Sequence, residues 1–367
     1  MNSTLATGVR NARNVGRYIF GSGSIEELAD LVEIRKKSVS GPAVFLIDSY
    51  FERNPGYLGN LPVEQSDLIR YVKVDTEPTT EGIDRLVEEI SLEVAEPSVI
   101  IGIGGGITLD TAKAISNLLT NGGRAADYQG WDLVRVPGVY KIGIPTLSGT
   151  GAEATRTCVM TNKSTGLKLG MNSDYTVFDQ LILDPGLTAT VPTDQYFFSG
   201  MDAWIHCVEA LSGDYRNPIG DAFSTQAINL CGEVFSGGTM MNDDNRAKLM
   251  VASYLGGCAI ATSYVGVVHP FSAGLSVVLG LHHCVANCLV MTSMQSFYPD
   301  AFEEFIRFVD ENHVNLPRGV CSKLTDDQFE ALYRATVIHE KPLTNALGPK
   351  FLDVLTKSRV REIFEAI

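Results

Sequence analysis

Ser98-Val-Ile-Ile-Gly-Ile-Gly-Gly-Gly-Ile-Thr-Leu-Asp-Thr-Ala-Lys113 decides how the first half of the chain is read. Val99–Ile103 is a short β-branched run of the kind that fills a strand buried on both faces. Gly104, Gly105 and Gly106 follow at once, and a helical pattern begins near Thr108. Without Cβ atoms the glycines let backbone N–H groups close on an anion, and the helix start adds its positive dipole end. The segment is a pyrophosphate cradle or a tight strand–helix turn. It is not the usual dinucleotide fingerprint, because G-x-G-x-x-G counted from Gly102 fails at Ile107.

Similar runs surround it. Ala43–Ile47, Tyr71–Val74, Lys141–Ile144 and Leu181–Leu183 read as strands, and Ser24–Lys36, Thr80–Ile90 and Thr108–Leu119 as helices. Strands alternating with helices predict a largely parallel α/β sheet. A second polar, glycine-bearing segment, Ile144-Pro-Thr-Leu-Ser-Gly-Thr-Gly-Ala-Glu-Ala-Thr155, also follows a strand. Two such loops at the carboxyl ends of one sheet would face a common crevice, which favours a nucleotide. Asp48 ends a strand, where a carboxylate accepts from ribose hydroxyls and repels a 2′-phosphate, or simply forms a turn with Ser49.

Past the turn signal Asp184-Pro185-Gly186 the periodicity becomes helical, in Gly220–Phe235, Asn245–Thr262, Asn287–Phe308 and Asp326–His339. At roughly 150 residues per domain the 367 residues suggest two domains, placed at 1–186 (α/β) and 187–367 (all-helical). An apolar content of 45% excludes a disordered chain, and a net charge of −14 argues against nucleic acid. The start, MNSTLATGVRNARNVG, lacks the apolar core of about 7–15 residues that a secretory signal needs, and reads as an ordinary tail rather than a transit peptide. Seven cysteines without a C-x-x-C read as buried thiols of a reduced, cytoplasmic protein, Cys284 and Cys288 included. The apolar stretch Gly266–Met291 carries three histidines, a proline and glycines, so it reads as a functional core segment and not a membrane span.

The chain has only six histidines. In Gly200-Met-Asp-Ala-Trp-Ile-His-Cys-Val-Glu-Ala210, Asp202 and His206 are four residues apart and share a helix face, with Glu209 close by as a supporting carboxylate. His269 and His283 would lie about 21 Å apart on one straight helix, too far for one ion. Pro270, Gly274 and Gly280 supply the turn that would bring them together, with His282 the odd one out or a proton carrier. Three imidazoles and a carboxylate suit Fe²⁺ or Zn²⁺.

G-G-G-I-T-L-D-T-A-K, P-T-L-S-G-T-G-A-E-A-T, L-D-P-G-L, G-M-D-A-W-I-H-C-V-E-A and H-H-C-V-A-N together resemble the iron-containing (group III) alcohol dehydrogenase family, over a span from about Phe20 to at least Asn345. That resemblance implies a dehydroquinate synthase-like fold: an α/β dinucleotide-binding domain, a helical domain, and a divalent metal in the cleft between them. It implies metal ligation by Asp202, His206, His269 and His283, and cofactor binding by Gly104–Asp110 (Gly104, Gly105, Gly106, Thr108, Asp110) and by Thr146, Leu147 and Ser148. It puts Asp48 where NAD is favoured over NADP, places Lys168 near the active site as a catalytic lysine, and makes a homodimer the expected assembly. Two positions depart from the family: Ala273 stands where many members carry a further histidine, and His282 replaces a commoner proline. The spelling K-L-G-M-N-S-D-Y-T-V-F-D-Q is similar to a branch that oxidises the 8-hydroxyl of 3-deoxy-manno-octulosonate (Kdo) to an aldehyde for amino-sugar and lipopolysaccharide synthesis. The expected activity is therefore oxidation of that sugar acid's primary alcohol, the alternative being NAD-dependent dehydrogenation of a small alcohol or polyol. A dehydroquinate synthase-like lyase would need Lys, Arg and Asn in the site segments 202–210 and 266–283, which hold none. A non-catalytic sugar-binding protein, suggested by Ala273, fits poorly with a complete ligand set.

Overall fold

The computed structural model describes residues 13–367, so most of the start read as an ordinary tail, residues 1–16, lies outside the described residues. The chain divides into two compact units, Arg13–Thr190 and Val191–Ile367.

The first unit contains, in chain order, β1 (Arg17–Phe20), α1 (Leu28–Ser38), β2 (Ala43–Asp48), α2 (Tyr50–Arg53), β3 (Leu68–Val72), α3 (Thr80–Glu93), β4 (Val99–Gly104), α4 (Gly106–Asn121), β5 (Gly130–Trp131), β6 (Lys141–Pro145), β7 (Thr157–Asn162), β8 (Leu167–Asn172) and β9 (Gln180–Leu183). Six strands form one sheet in the order β1-β9-β6-β4-β2-β3, and every pairing is parallel. The chain runs from β2 outward to β3 and then back across to β4, so the order reverses between β2 and β4. At such a switch point neighbouring crossovers leave opposite faces of the sheet and open a crevice at the strand ends. Asp48 ends β2 and Gly104 ends β4.

β2 and β4 are buried throughout, as their unbroken apolar runs require. Phe45, Ile47, Ile101 and Ile103 pack with Leu28 and Val32 of α1. On α4, Ala112 lies so close to β4 that a Cβ on Gly102 would come within 2.8 Å of its methyl, so only glycine fits there. The third strand starts and ends earlier than Tyr71–Val74. Val44 pairs with Leu68, and Asp67 accepts from the Ala43 N–H at 2.8 Å, which fixes the register three residues upstream.

Two features of this unit are absent from the sequence reading. β1 extends the sheet beside β9. β7 and β8 form an antiparallel hairpin, turned at Gly166 (φ +66°), which with β5 makes a small second sheet.

The second unit is helical: α5 (Thr193–Ser212), α6 (Pro218–Phe235), α7 (Asp243–Ser263), α8 (Val268–Leu279), α9 (His283–Met291), α10 (Pro299–Glu311), α11 (Asp326–Val337), α12 (Glu340–Leu347), α13 (Phe351–Val354) and α14 (Lys357–Glu365). α5 is the central helix, buried on all sides from Tyr196 to Ala210. Trp204 packs edge-on against Phe308 at 5.9 Å, and Phe197 against Phe235 at 5.4 Å. The expected helix Asn287–Phe308 is two helices. Pro299 cannot continue a helix, because its ring removes an N–H and clashes one turn back; it sits instead at the start of α10.

All seven cysteines are buried thiols. Among the described residues no single helix is long and apolar enough to cross a membrane; α7 and α8 pass that test only as a pair, bent by 105°.

Candidate metal centre and cofactor loops

α5 carries Asp202 and His206 one turn apart, both buried in the middle of the unit. The chain from α7 enters α8 with His269 in its first turn. α8 then stops at Gly280, whose φ of +69° gives the left-handed cap that lets the chain double back. α9 begins at His283. The break between His269 and His283 is therefore made by Gly280, and it brings two helix N-terminal turns onto the face of α5 that carries Asp202 and His206.

Asp202, His206, His269 and His283 each present a ligand atom, and these four atoms lie within 4.8 Å of one another. Asp202 Oδ1 is 3.3 Å from His269 Nε2 and 3.7 Å from His206 Nε2, while its Oδ2 is 3.7 Å from His283 Nε2. Ligand atoms about 2.1 Å from a tetrahedral ion stand about 3.4 Å apart, so the spacing fits Fe²⁺ or Zn²⁺. The rings of His206 and His269 stack at 4.5 Å. His206 Nδ1 is buried with no hydrogen-bond partner.

The electrostatics agree with a cation site. Burial opposes ionisation of Asp202, but the imidazoles of His206, His283 and His269 outweigh it and hold the carboxyl well below its usual range. Burial pushes His206 down to about 3, so it is a neutral imidazole able to donate a lone pair. At His269 burial is outweighed by Glu209 and Asp202, and the value rises to about 9. A field that holds a proton between two carboxylates also draws a metal ion.

Glu209 explains the pose of His269. One of its oxygens accepts from Nδ1–H of His269, and the other accepts from the Val268 N–H at 2.5 Å. Tyr298 Oη accepts from the Val267 N–H at 3.1 Å. Anchoring Nδ1 fixes the tautomer and turns Nε2 toward Asp202. Asn287 of α9, unassigned by the sequence, donates from Nδ2 to Asp202 Oδ1 at 2.6 Å and lies 3.2 Å from both His269 Nε2 and His283 Nε2. Its place in H-C-V-A-N, four residues after His283, was the available signal. Ala273 is buried on α8, whereas His282 caps α9 and is exposed.

The other expected residues gather in the α/β unit. A Cβ on Gly104 would stand 2.6 Å from Thr108 Oγ1 and 3.0 Å from Asp48 Cβ, one on Gly105 would meet Leu147 at 2.8 Å, and one on Gly106 would meet Thr150 at 3.0 Å. Thr146 N–H donates to the Gly104 carbonyl at 3.1 Å. The two glycine-bearing loops thus touch. α4 has no side-chain cap and no acidic residue in its first turn, leaving its first N–H groups for an anion. Thr108 Oγ1 and Ser148 Oγ are buried without a partner, which fits a polar ligand. Asp48 Oδ1 accepts from the Tyr50 N–H at 2.8 Å, the turn role, and burial raises its pKa.

Asp110 and Lys168 belong to a different arrangement. Asp110 Oδ2 accepts from the Val159 N–H of β7 at 2.9 Å, and Lys113 donates to the Thr157 carbonyl at 2.6 Å. Lys168, on β8, pairs with Glu77 at 3.2 Å. These charges brace the hairpin.

Residues 16–185 match the family model described as iron-containing alcohol dehydrogenase, and residues 197–334 the model for the C-terminal part of that family. Sulfoacetaldehyde reductase of Bilophila wadsworthia is 33% identical over 285 residues, covering 74% of this chain and 70% of its own. NAD-dependent methanol dehydrogenase of Bacillus methanolicus is 28% identical, covering 76% and 73%. An alcohol dehydrogenase from Oenococcus oeni shares the fold, with a TM-score of 0.80 at 22% identity over 97% of this chain and 100% of its own. With both halves of the chain matched, the protein belongs to the iron-containing alcohol dehydrogenase family and is an oxidoreductase acting on alcohols.

Proposed function

We propose that the protein is an NAD-dependent dehydrogenase that interconverts a small primary alcohol and its aldehyde, with a divalent ion held by Asp202, His206, His269 and His283. The observation that carries this reading is the convergence of one carboxylate and three imidazoles within 4.8 Å in the helical unit. When bound, the ion supplies Lewis acidity toward the substrate oxygen, and the nicotinamide supplies the hydride acceptor. Asp202 contributes the negative charge that offsets part of the cation's. His206, kept neutral by burial, and the imidazole of His283 add lone pairs, and Glu209 keeps the Nε2 of His269 directed inward. In the α/β unit Gly104–Gly106 and Thr108 receive the pyrophosphate, Thr146–Ser148 line the neighbouring loop, and Asp48 favours NAD over NADP. Asp110 and Lys168 serve the reaction by bracing the hairpin beside these loops.

The small-alcohol reading, rather than the Kdo one, is supported by the relatives named above. Kdo oxidation stays as the second reading on one observation, the spelling Lys168–Gln180 through β8 and β9. Steady-state assays with Fe²⁺- or Zn²⁺-loaded protein and NAD⁺ decide between them. Turnover of ethanol, 1,2-ethanediol or 2-hydroxyethanesulfonate with none on Kdo supports the first; brisk turnover of Kdo alone would replace it with the second.

A further inference from the structure

α9 touches the ligand set with more than a histidine. Its first turns present two further donors to Asp202, one for each carboxylate oxygen. Asn287 Nδ2 donates to Oδ1 at 2.6 Å, and the Cys284 thiol donates to Oδ2 at 3.5 Å, within the longer reach of sulfur. Both side chains are buried, Asn287 completely and Cys284 to 6% exposure. His283, Cys284 and Asn287 therefore meet the same carboxylate from within five residues, and Asp202 cannot rotate about its terminal torsion without losing one of these bonds.

We propose that Cys284 and Asn287 are positioning residues that fix the carboxylate plane of Asp202 and thereby set the affinity and ligand field of the metal centre. A carboxylate held at both oxygens presents one lone pair in a fixed direction, whereas a free one would swing and expose the ion to a change of denticity. An amide and a thiol are suited to this because each donates without adding charge beside the cation. The inference rests on the metal reading above.

The test uses full-length protein stripped of metal and titrated with Co²⁺ and Zn²⁺ against a chromophoric chelator, with the Co²⁺ visible absorption bands recorded for each complex. Asn287→Ala is expected to weaken binding by about 10–100-fold and Cys284→Ala by about 3–10-fold, the range of lost hydrogen bonds behind metal ligands, each with shifted Co²⁺ bands. Cys284→Ser, which keeps a donor, should restore wild-type affinity and bands. The cysteine pair carries the test even if Asn287→Ala does not fold, since Ala and Ser are both compatible with a helix first turn. Wild-type affinity and unshifted bands in Cys284→Ala would overturn the role of the thiol, and the same result in Asn287→Ala that of the amide. Failure of the wild type to bind either ion would overturn the metal reading and this inference with it; binding that both alanine variants retain would overturn this inference alone.

Discussion

Glu209 decides whether His269 is a ligand or a buried base. Its carboxylate holds Nδ1–H of His269 and the Val268 N–H together, so the ring enters the site already oriented. Glu209→Gln keeps the size but removes the charge, and should weaken Zn²⁺ binding by about 10–100-fold in a chelator competition. Unchanged affinity would mean that His269 is oriented by packing alone. At the same scale Lys141 makes a prediction about pH. It lies buried in β6, 3.8 Å from Asp179, and desolvation lowers its pKa to about 8. The unfolded chain holds the proton up to about 10.4, so it binds more protons than the folded one between these values, and stability rises with pH across that window. Below about pH 8 the charge costs roughly 3 kcal/mol. Lys141→Met should therefore raise the urea midpoint most at pH 7, with the advantage gone near pH 10.5. An advantage that stays constant over that range would show that Lys141 binds its proton equally well in the folded and unfolded chain, its burial fully compensated by Asp179.

Among elements, the β4–α4 connection carries the cofactor reading. Gly104→Ala would press a methyl onto Thr108 and Asp48. It should raise KM for NAD⁺ by about 10-fold or more while leaving metal content unchanged, because small displacements of positioning groups are costly. A loss of metal with normal KM would place the loop in the wrong role. β4 and α4 were legible because a continuous buried run, three glycines and a helical period follow one another without ambiguity. The turn between His269 and His283 was legible from Pro270 and Gly280, since no straight helix could unite the two rings. The hairpin β7–β8 was not. Its buried positions, such as Cys158, Met160 and Lys168, alternate with Thr157, Val159, Thr161, Leu167 and Leu169 rather than with charged residues, so the period of two has little contrast. Its partners Asp110 and Lys113 lie some 45 residues away, and sequence spacing cannot reveal that an Asp in α4 bonds the backbone of β7. Asn287 shares a face of α9 with His283, one turn away, but its contact with Asp202 depends on the angle at which α9 meets α5.

For the whole molecule, the two units have separate cores, one gathered on the parallel sheet and one around α5. The four proposed metal ligands come from three helices of the second unit, so an ion bound there is available only to the folded state. At a hundred times its Kd such an ion adds about 2.7 kcal/mol of stability. Thermal unfolding should accordingly shift upward with added Zn²⁺ and downward with chelator, and the shift should vanish in Asp202→Asn. The central claim, that Asp202, His206, His269 and His283 hold an ion on which alcohol oxidation depends, is tested most directly by one measurement. Metal content and NAD⁺-dependent alcohol oxidation are determined together on the same wild-type protein as purified, after chelation, and after return of Fe²⁺ or Zn²⁺, with His206→Ala alongside. The account predicts one ion per chain in active wild type, loss of both ion and activity on chelation, recovery of both on reloading, and neither in His206→Ala. Undiminished NADH production by the chelated protein, or by His206→Ala without an ion, would contradict it.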